Sequence, residues 1–255
     1  MKILSFKATH DLEKYAATLI LNEVQKKPRL VLGLATGRTM VGVYQELVHL
    51  AQNTFTSFKE VTTFNLDEYV GLSELHPASF HSYMNEKLFS HLSFDTTHCF
   101  LPRGMALNAE AEALRYENEI QKSGGIDFQL LGLGQNAHIG FNEPGSSFHS
   151  RTRLVQLSPA TKAQNLFAFS DGQIPDTAIS MGLATIMRSK KILLVVTGAS
   201  KAVPLRDCLA DVNEYVPASI LQRHAAVTIL ADEEALSLIP ESQKKLITRT
   251  DHNLP

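Results

Sequence analysis

Polar side chains follow a short apolar run within the segment 130–144, among them Asn136, His138, Asn142 and Glu143. The apolar run ends at a glycine, which is typical of a buried strand that delivers side chains into a crevice. A carboxylate beside an imidazole fixes the tautomer of the ring and stabilises its charged form, so the ring can move protons near neutral pH. His138 and Glu143 are therefore candidate partners in acid–base chemistry. Their spacing equally allows a solvated loop in which the two side chains never meet.

A second polar segment, Thr36, Gly37, Arg38 and Thr39, joins a predicted strand to a predicted helix. Free backbone N–H groups at a helix start, helped by hydroxyls, suit a phosphate. Lys201, at the head of another predicted helix, would add positive charge to the same site. Taken alone, the segment is better explained as an ordinary turn and the lysine as a solvated side chain.

A third polar cluster consists of two adjacent carboxylates, Asp67 and Glu68, at the end of an apolar strand. Because side chains alternate along a strand, only one of the two is expected to face a crevice. A lone carboxylate that faces a substrate carbon is a candidate general base. A surface acidic pair that caps the next segment explains the two residues equally well.

These clusters follow strands in an alternating α/β pattern. Apolar runs predict strands at Lys2–Phe6, Leu30–Leu34, Val61–Leu66, Phe128–Gly134, Lys191–Thr197 and Val227–Leu230. The helical period and end signals predict helices at Asp11–Lys27, Val41–Leu50, Ser79–His91, Asn108–Lys122, 182–188 and 198–210. Such alternation predicts a doubly wound, mostly parallel sheet, in which ligands bind at the carboxyl ends of the strands. Four strands carry a polar cluster just past that end, which favours an enzyme. The segment 146–176 is expected to be irregular and is a candidate lid.

Several common enzyme classes lack support. No Gly-Lys-Ser/Thr follows Gly37 at P-loop distance, and Gly132-Leu-Gly134 lacks the third glycine of a dinucleotide fingerprint, so no nucleotide cofactor is expected. His76 and His81 lack the H-E-x-x-H spacing, and no G-x-S-x-G elbow is present. We therefore expect neither a metal centre nor a serine hydrolase.

Composition indicates the domain size, the partners and the compartment of the protein. The chain has 255 residues, 44% of them hydrophobic, which suits one domain of the larger α/β kind. A formal net charge of -2, without basic runs, gives no reason to expect nucleic acid or an anionic membrane as partner. Cys99 and Cys208 are expected to be buried thiols in a reducing compartment. Because there is no signal-peptide pattern and no run near the about 18 apolar residues of a membrane span, we expect a cytoplasmic protein.

Three long motifs resemble those of the glucosamine-6-phosphate deaminase family. They are Leu-Gly-Leu-Ala-Thr-Gly-Arg-Thr (32–39), Thr-Phe-Asn-Leu-Asp-Glu-Tyr-Val-Gly-Leu (63–72) and Leu-Gly-Leu-Gly-Gln-Asn-Ala-His-Ile-Gly-Phe-Asn-Glu-Pro-Gly (131–145). Shorter matches at 150–153, 180–182 and 217–222 extend the resemblance over almost the whole chain. The resemblance implies an α/β fold: a single-domain, modified Rossmann-type three-layer sandwich with a mostly parallel sheet, over residues 1–255.

The resemblance also implies a reaction, in which glucosamine 6-phosphate and water become fructose 6-phosphate and ammonia without a metal or redox cofactor. By motif, Asp67 would be the base that takes the proton from C2 and returns it at C1. His138 would open the sugar ring, with Glu143 as its partner. Asn136 stands at a further position of this catalytic group, which is an aspartate in some relatives; since Asn136 cannot ionise, the charge beside His138 falls to Glu143.

The phosphate of the substrate would be held by Thr36, Gly37, Arg38, Thr39 and Lys201. Arg38 replaces a small residue of the family, and Asn165-Leu-Phe167 stands where relatives carry an arginine after the Asn. We hypothesise that Arg38 supplies the missing charge.

Further departures from the family concern Ala137, which replaces a glycine, and Met40, which replaces a common proline. Val155 stands where allosterically activated relatives carry a basic residue, and their C-terminal extension is not expected here. The sequence therefore predicts no activation by N-acetylglucosamine 6-phosphate.

Three other functions stay open. A galactosamine-6-phosphate deaminase/isomerase, which gives tagatose 6-phosphate, would use the same residues. A 6-phosphogluconolactonase shares the fold, but its central motif lacks the ending Phe-Asn-Glu-Pro (141–144) and it does not need Asp67 as a base. A non-catalytic sugar-phosphate sensor would carry a DNA-binding helix-turn-helix ahead of the domain, for which the start at Lys2 leaves no room. A homo-oligomer is possible, and the short C-terminal tail favours one smaller than a hexamer.

Overall fold

The computed structural model describes residues 1–169 and 172–250, and its centre is an eight-stranded sheet. The strands are β1 (Lys2–Phe6), β2 (Val31–Leu34), β3 (Thr62–Asn65), β4 (Asp67–Tyr69), β5 (Cys99–Phe100), β6 (Phe128–Gly132), β7 (Arg153–Gln156), β8 (Thr177–Ser180), β9 (Lys191–Val196), β10 (Val227–Asp232) and β11 (Ile247–Arg249). The α-helices are α1 (Thr9–Lys26), α2 (Arg38–Asn53), α3 (Phe80–Lys87), α4 (Ala109–Lys122), α5 (Pro159–Asn165), α6 (Leu183–Met187), α7 (Ala202–Cys208) and α8 (Glu241–Lys244).

The large sheet has the order β11-β1-β10-β9-β6-β2-β3-β5, and its paired strands are parallel. Its central strands are apolar throughout because helices and loops cover both faces; in β9, for example, every residue after Lys191 is buried. The helix α1 places Leu12, Ala16 and Ile20, one face at the helical period, into the same core. The predicted α/β fold class is confirmed.

Several element ends differ from the predictions. The helix α2 begins at Arg38 and ends at Asn53, so it is longer than the predicted Val41–Leu50. The predicted helix 79–91 is divided into α3 and a 3-10 turn at Phe89–His91, because Leu88 leaves the helical conformation with φ -142°. The predicted helix 198–210 is a 3-10 turn at Ala199–Lys201 followed by α7.

A second, antiparallel sheet was not predicted. It has the order β4-β8-β7, and it pairs Asp67 with Ser180 and Arg153 with Ser180 across the central strand. The expectation that 146–176 is irregular was wrong, since the segment contains β7 and α5; its residues 170 and 171 lie outside the described part of the chain. A lid role for the segment stays a prediction.

An aromatic cluster packs against this small sheet. The ring of Tyr69 is 4.8 Å from that of Phe80, 5.6 Å from that of Phe141 and 5.4 Å from that of Phe169. Tyr69 itself is almost fully buried. Burial of large aromatic rings supplies much of the packing energy of such a cluster. The cluster therefore fixes the backbone of β4, on which Asp67 lies.

The two cysteines differ in exposure. Cys208 is buried as predicted, whereas Cys99 is only partly buried because the short strand β5 lies at the edge of the large sheet. Burial raises the pKa of the Cys99 thiol to about 11 and that of the Cys208 thiol to about 12. Within residues 1–169 and 172–250, no helix is long and apolar enough to cross a membrane.

Candidate active site

A cavity of about 510 Å³ opens at the carboxyl ends of β9, β6, β2 and β3, which are neighbours in the large sheet. Its walls include seven of the nine predicted site residues: Thr36, Gly37, Arg38, Thr39, Asp67, His138 and Lys201. The volume lies in the range of small-molecule sites. The structure thus brings the loops after all four strands together around one cavity.

Asp67 faces this cavity from the first position of β4 and is only 6% exposed. Burial, with a smaller contribution from the charge of Glu68, raises the pKa of Asp67 from 3.8 to about 8. A carboxylate with so high a proton affinity is suited to take a proton from carbon.

Glu68 has a different role, because alternation along β4 turns its side chain away from the cavity. Its carboxylate accepts hydrogen bonds from the backbone N–H groups of Tyr69 (2.9 Å), Phe80 (3.1 Å) and His81 (2.9 Å). Two of these groups belong to the first turn of α3, where a negative charge is favourable. Burial raises the pKa of Glu68 to about 7 in spite of these donors. The acidic pair is thus divided between a cavity residue and a helix cap.

His138 is joined to Glu143 through Asn136. The imidazole Nδ1 lies 2.7 Å from the side-chain oxygen of Asn136, and the amide nitrogen of Asn136 donates to Glu143 Oε2 at 2.7 Å. The direct distance from His138 Nδ1 to Glu143 Oε2 is 3.9 Å, so the predicted pairing is an indirect one. Neither Asn136 nor Glu143 is part of the cavity wall; both lie behind the ring.

This chain of bonds selects the tautomer of His138. The amide oxygen of Asn136 only accepts, so Nδ1 of the imidazole carries the proton and Nε2 has the lone pair. Burial lowers the pKa of His138 and outweighs the opposing effect of Glu143, while Lys201 lowers it further. The expected stabilisation of the charged ring is therefore reversed, and the neutral imidazole is the favoured form. A side chain at Gly134 would collide with the ring, since a Cβ there would lie 2.3 Å from His138 Cε1.

Two hydroxyl groups at the start of α5, which were not predicted as site residues, complete the surroundings of Glu143. Ser158 and Thr161 both donate to Glu143 Oε1, the former at 3.0 Å. Burial acts to raise the pKa of Glu143, but the hydrogen bonds from Thr161, Asn136 and Ser158 prevail and hold it below its ordinary value. Ser158 is also the N-cap of α5, with Pro159 as the first helical residue. The Ser-Pro pair is a helix-start signal through which α5 could have been found.

The opposite side of the cavity has the features of an anion site. Gly37, with φ 111°, is the N-cap of the 16-residue helix α2, and its positive φ is one that only glycine adopts without strain. The backbone N–H groups of Arg38 and Thr39 have no acceptor among the described residues. Lys201 lies on the same wall, without a carboxylate at ion-pair distance in residues 1–169 and 172–250. Unpaired helix N–H groups and an ammonium together suit a phosphate.

The loop that carries Lys201 is held by carboxylates outside the cavity wall. Asp232 accepts from the backbone N–H of Gly198 at 2.8 Å, and Glu234 accepts from that of Ala199 at 3.2 Å. These two N–H groups are therefore already used, and the loop contributes Lys201 to the cavity wall, together with Thr197 and Ser200. The sequence does not reveal this role of Asp232, because Asp232 ends β10 whereas Gly198, whose N–H it accepts, follows the neighbouring strand β9.

In the described part of the chain, no group of three or more His, Cys, Asp or Glu side chains is placed so that it could hold a metal ion. The residues that face the cavity offer instead a buried acid–base carboxyl, a neutral imidazole and an anion site. Together they can bind a small phosphorylated molecule and move protons on it.

The chain matches the family model described as glucosamine-6-phosphate isomerases/6-phosphogluconolactonase over residues 6–230. It is 45% identical to the glucosamine-6-phosphate deaminase of Geobacillus sp. (strain WCH70), with 98% of this chain and 100% of that protein covered. It is likewise 45% identical to glucosamine-6-phosphate deaminase 1 of Bacillus subtilis (strain 168), with 94% of this chain and 100% of that protein covered.

Among solved structures, a monomeric glucosamine-6-phosphate deaminase superposes with a TM-score of 0.92 at 44% identity and covers 93% of this chain and 100% of its own. The 6-phosphogluconolactonase from Trypanosoma cruzi superposes with a TM-score of 0.72 at 19% identity, with 92% of this chain and 96% of that chain covered, and shows only that the fold is shared. On these matches, the chain belongs to the family of glucosamine-6-phosphate isomerases and 6-phosphogluconolactonases.

Proposed function

We propose that this protein is a glucosamine-6-phosphate deaminase, which converts glucosamine 6-phosphate and water to fructose 6-phosphate and ammonia. The observation that carries the proposal is a single cavity with a buried carboxyl, Asp67, and a neutral imidazole, His138, facing an anion site at the start of α2. The deaminases that match almost the whole chain support the same activity.

The phosphate of the substrate binds at the N-terminus of α2 and at Lys201. The N–H groups of Arg38 and Thr39 are the unpaired donors of the first helical turn, and Lys201 adds a positive charge. Burial lowers the pKa of the Lys201 ammonium. A dianion favours the charged form of this lysine and raises its pKa. Binding the phosphate fixes the sugar relative to Asp67, which turns the proton transfer into an intramolecular step.

His138 opens the sugar ring. Its Nε2 lone pair accepts the proton of the C1 hydroxyl, and the bond between C1 and the ring oxygen breaks as the C1 aldehyde forms. The imidazolium returns the same proton to the ring oxygen, so the step proceeds without net gain or loss of protons. Asn136 and Glu143 stabilise the imidazolium that forms in passing, the one as hydrogen-bond acceptor and the other through its charge.

Asp67 then moves one proton between neighbouring carbons. The ionised carboxylate takes the proton from C2, and the C2–H electron pair becomes the C1–C2 double bond. The π pair of the C1 aldehyde moves onto O1, which takes a proton from the ammonium group at C2, so that an enolamine forms. Return of the proton to C1 gives the keto-level imine at C2, to which water adds; ammonia leaves, and fructose 6-phosphate remains. A positioned general base of this kind contributes about 10²–10⁴ in rate.

Ammonia release is measured with glucosamine 6-phosphate and galactosamine 6-phosphate in parallel, for the wild type and Asp67→Asn. Release from the first substrate only, abolished in the variant while inorganic phosphate still binds, is the expected result. Preferential release from galactosamine 6-phosphate would identify the protein as a galactosamine-6-phosphate deaminase/isomerase instead. Absence of ammonia from both would overturn the deaminase assignment, and lactone hydrolysis would be tested next.

The catalytic roles of Asp67, Asn136, His138 and Glu143, and the phosphate roles of Thr36, Gly37, Arg38, Thr39 and Lys201, belong to this proposal. We also propose that the enzyme is cytoplasmic and that it is a monomer or a homo-oligomer smaller than a hexamer. In keeping with this, the similar solved structure is that of a monomeric enzyme. Sedimentation velocity gives the assembly size directly.

A further inference from the structure

The guanidinium of Arg38 stacks on the ring of Phe167, with its central carbon 4.1 Å from the ring centroid. Arg38 is the first residue of α2, and Phe167 lies in the 3-10 turn Leu166–Ala168 that follows α5. Both side chains line the active cavity. The contact therefore joins the phosphate loop to the segment 158–169.

The stack leaves the hydrogen-bonding capacity of Arg38 unused. The five N–H donors of a guanidinium lie in its plane, whereas the aromatic ring covers one of its faces. Within residues 1–169 and 172–250, Arg38 has no carboxylate at ion-pair distance. A ring on the face thus restricts a long, flexible side chain while its donor edge stays available for an anion.

Phe167 is a large apolar residue that stays exposed, so it does not serve as a core residue. The residue is 62% exposed, and within the described residues its ring stacks on no other aromatic ring. The residues on either side are nonetheless fixed. Thr161 is tied to Glu143, and Phe169, only 5% exposed, packs edge-on against Tyr69. The backbone is therefore held at both ends, and this directs the ring of Phe167 toward Arg38.

We propose that Phe167 is a positioning residue for the anion site: it holds the guanidinium of Arg38 with its donor edge turned to the phosphate. This inference rests on the proposed function, since the anion is taken to be the phosphate of the sugar. The same contact ties the segment 158–169 to the phosphate loop, so a bound phosphate acts on that segment through Arg38.

The test compares Phe167→Leu, which removes the π face, with Phe167→Tyr, which keeps it. Leu166→Ala is the matched control, because Leu166 is a neighbouring exposed apolar residue outside the cavity wall. The dissociation constant of inorganic phosphate is measured by calorimetry, and KM and kcat are measured for glucosamine 6-phosphate. The three substitutions are repeated in an Arg38→Gln background, in which no cation remains to stack.

We expect Phe167→Leu to raise both the phosphate dissociation constant and KM about two- to fivefold, the change that an exposed cation–π contact provides. The value of kcat should stay within about twofold, since the chemistry takes place at the other end of the cavity. Phe167→Tyr and Leu166→Ala should behave like the wild type. In the Arg38→Gln background, Phe167→Leu should have no further effect.

An equal effect of Phe167→Leu in both backgrounds would overturn the proposal, because the ring would then act without Arg38. A wild-type phosphate affinity in Phe167→Leu would overturn it as well. If phosphate binding responds as expected but no variant releases ammonia, the positioning role stands and the deaminase assignment fails. Because Phe167 is exposed, the variants should fold, and unfolding midpoints within about 2 °C of the wild type verify this.

Discussion

Asp67→Asn is expected to abolish the reaction and at the same time to stabilise the protein at high pH. Burial disfavours the charged carboxylate, which is why the pKa of Asp67 is raised to about 8. Between its ordinary pKa of 3.8 and this value, the folded chain binds more protons at this position than the unfolded chain. The contribution of Asp67 to the free energy of unfolding therefore falls as the pH rises through this window and is least favourable above pH 8.

The size of the effect follows from the width of the window. Each pH unit within it changes the free energy of unfolding by up to about 1.4 kcal/mol, so the whole window amounts to as much as about 6 kcal/mol. Asparagine has nearly the same shape and no proton to lose. The stability difference between Asp67→Asn and the wild type should thus be small near pH 5 and should grow steadily to about pH 8.

Urea unfolding followed by circular dichroism, at pH values between about 5 and 9, measures this difference. Asp211→Asn, the same substitution at an exposed surface position, is the control. A stability difference for Asp67→Asn that does not change with pH would refute the reasoning, because the carboxyl would then be no more costly to ionise in the fold than in the unfolded chain.

Four further predictions follow from the site. The value of kcat/KM for glucosamine 6-phosphate should rise with pH and level off above about pH 8, since Asp67 must be ionised to act as base; a rate that is flat from pH 6 upward would contradict this. Asn136→Ala should lower kcat about tenfold or more with little change in KM, whereas Asn136→Asp should raise the pKa of His138, as seen in an NMR titration of the ring. Ala137 has φ 60°, so Ala137→Gly should stabilise the protein by about 0.5–1 kcal/mol and raise the melting temperature by about 2 °C in a thermal scan. N-acetylglucosamine 6-phosphate should not activate the enzyme, because Val155 offers no charge to it; a hyperbolic initial-rate curve that is unchanged by the effector is the expected result.

Two strands of the large sheet, β5 and β11, have two and three residues, too few to give a pattern, and were not predicted. Its other six strands were predictable, because a short apolar run indicates burial on both faces. The sequence Lys191-Ile-Leu-Leu-Val-Val196 is one example, and the structure buries all of it except Lys191. The polar residues past these strands could be placed on one edge of the sheet for the same reason, since parallel strands end on the same side. Fold and cavity thus followed from patterns of local composition.

The small sheet could not be predicted, because it depends on contacts between distant segments. β4 is a three-residue strand, too short for any pattern, and pairing with β8 is what turns Asp67 toward the cavity and Glu68 toward α3. Alternation indicated that the two carboxylates would differ but not which would face the substrate. In the same way, the indirect link from His138 to Glu143 depends on where Asn136 lies between them, and spacing along the chain does not give this position.

The two cysteines make this chain convenient for optical experiments. Burial raises the pKa of the Cys99 thiol to about 11 and that of the Cys208 thiol to about 12, so both stay protonated at neutral pH and react slowly with maleimides. A cysteine introduced at the exposed position of Leu166 would be the fast-reacting thiol of the described chain. A fluorophore attached there would test whether the segment 158–169 moves as phosphate is added, without replacement of either native cysteine.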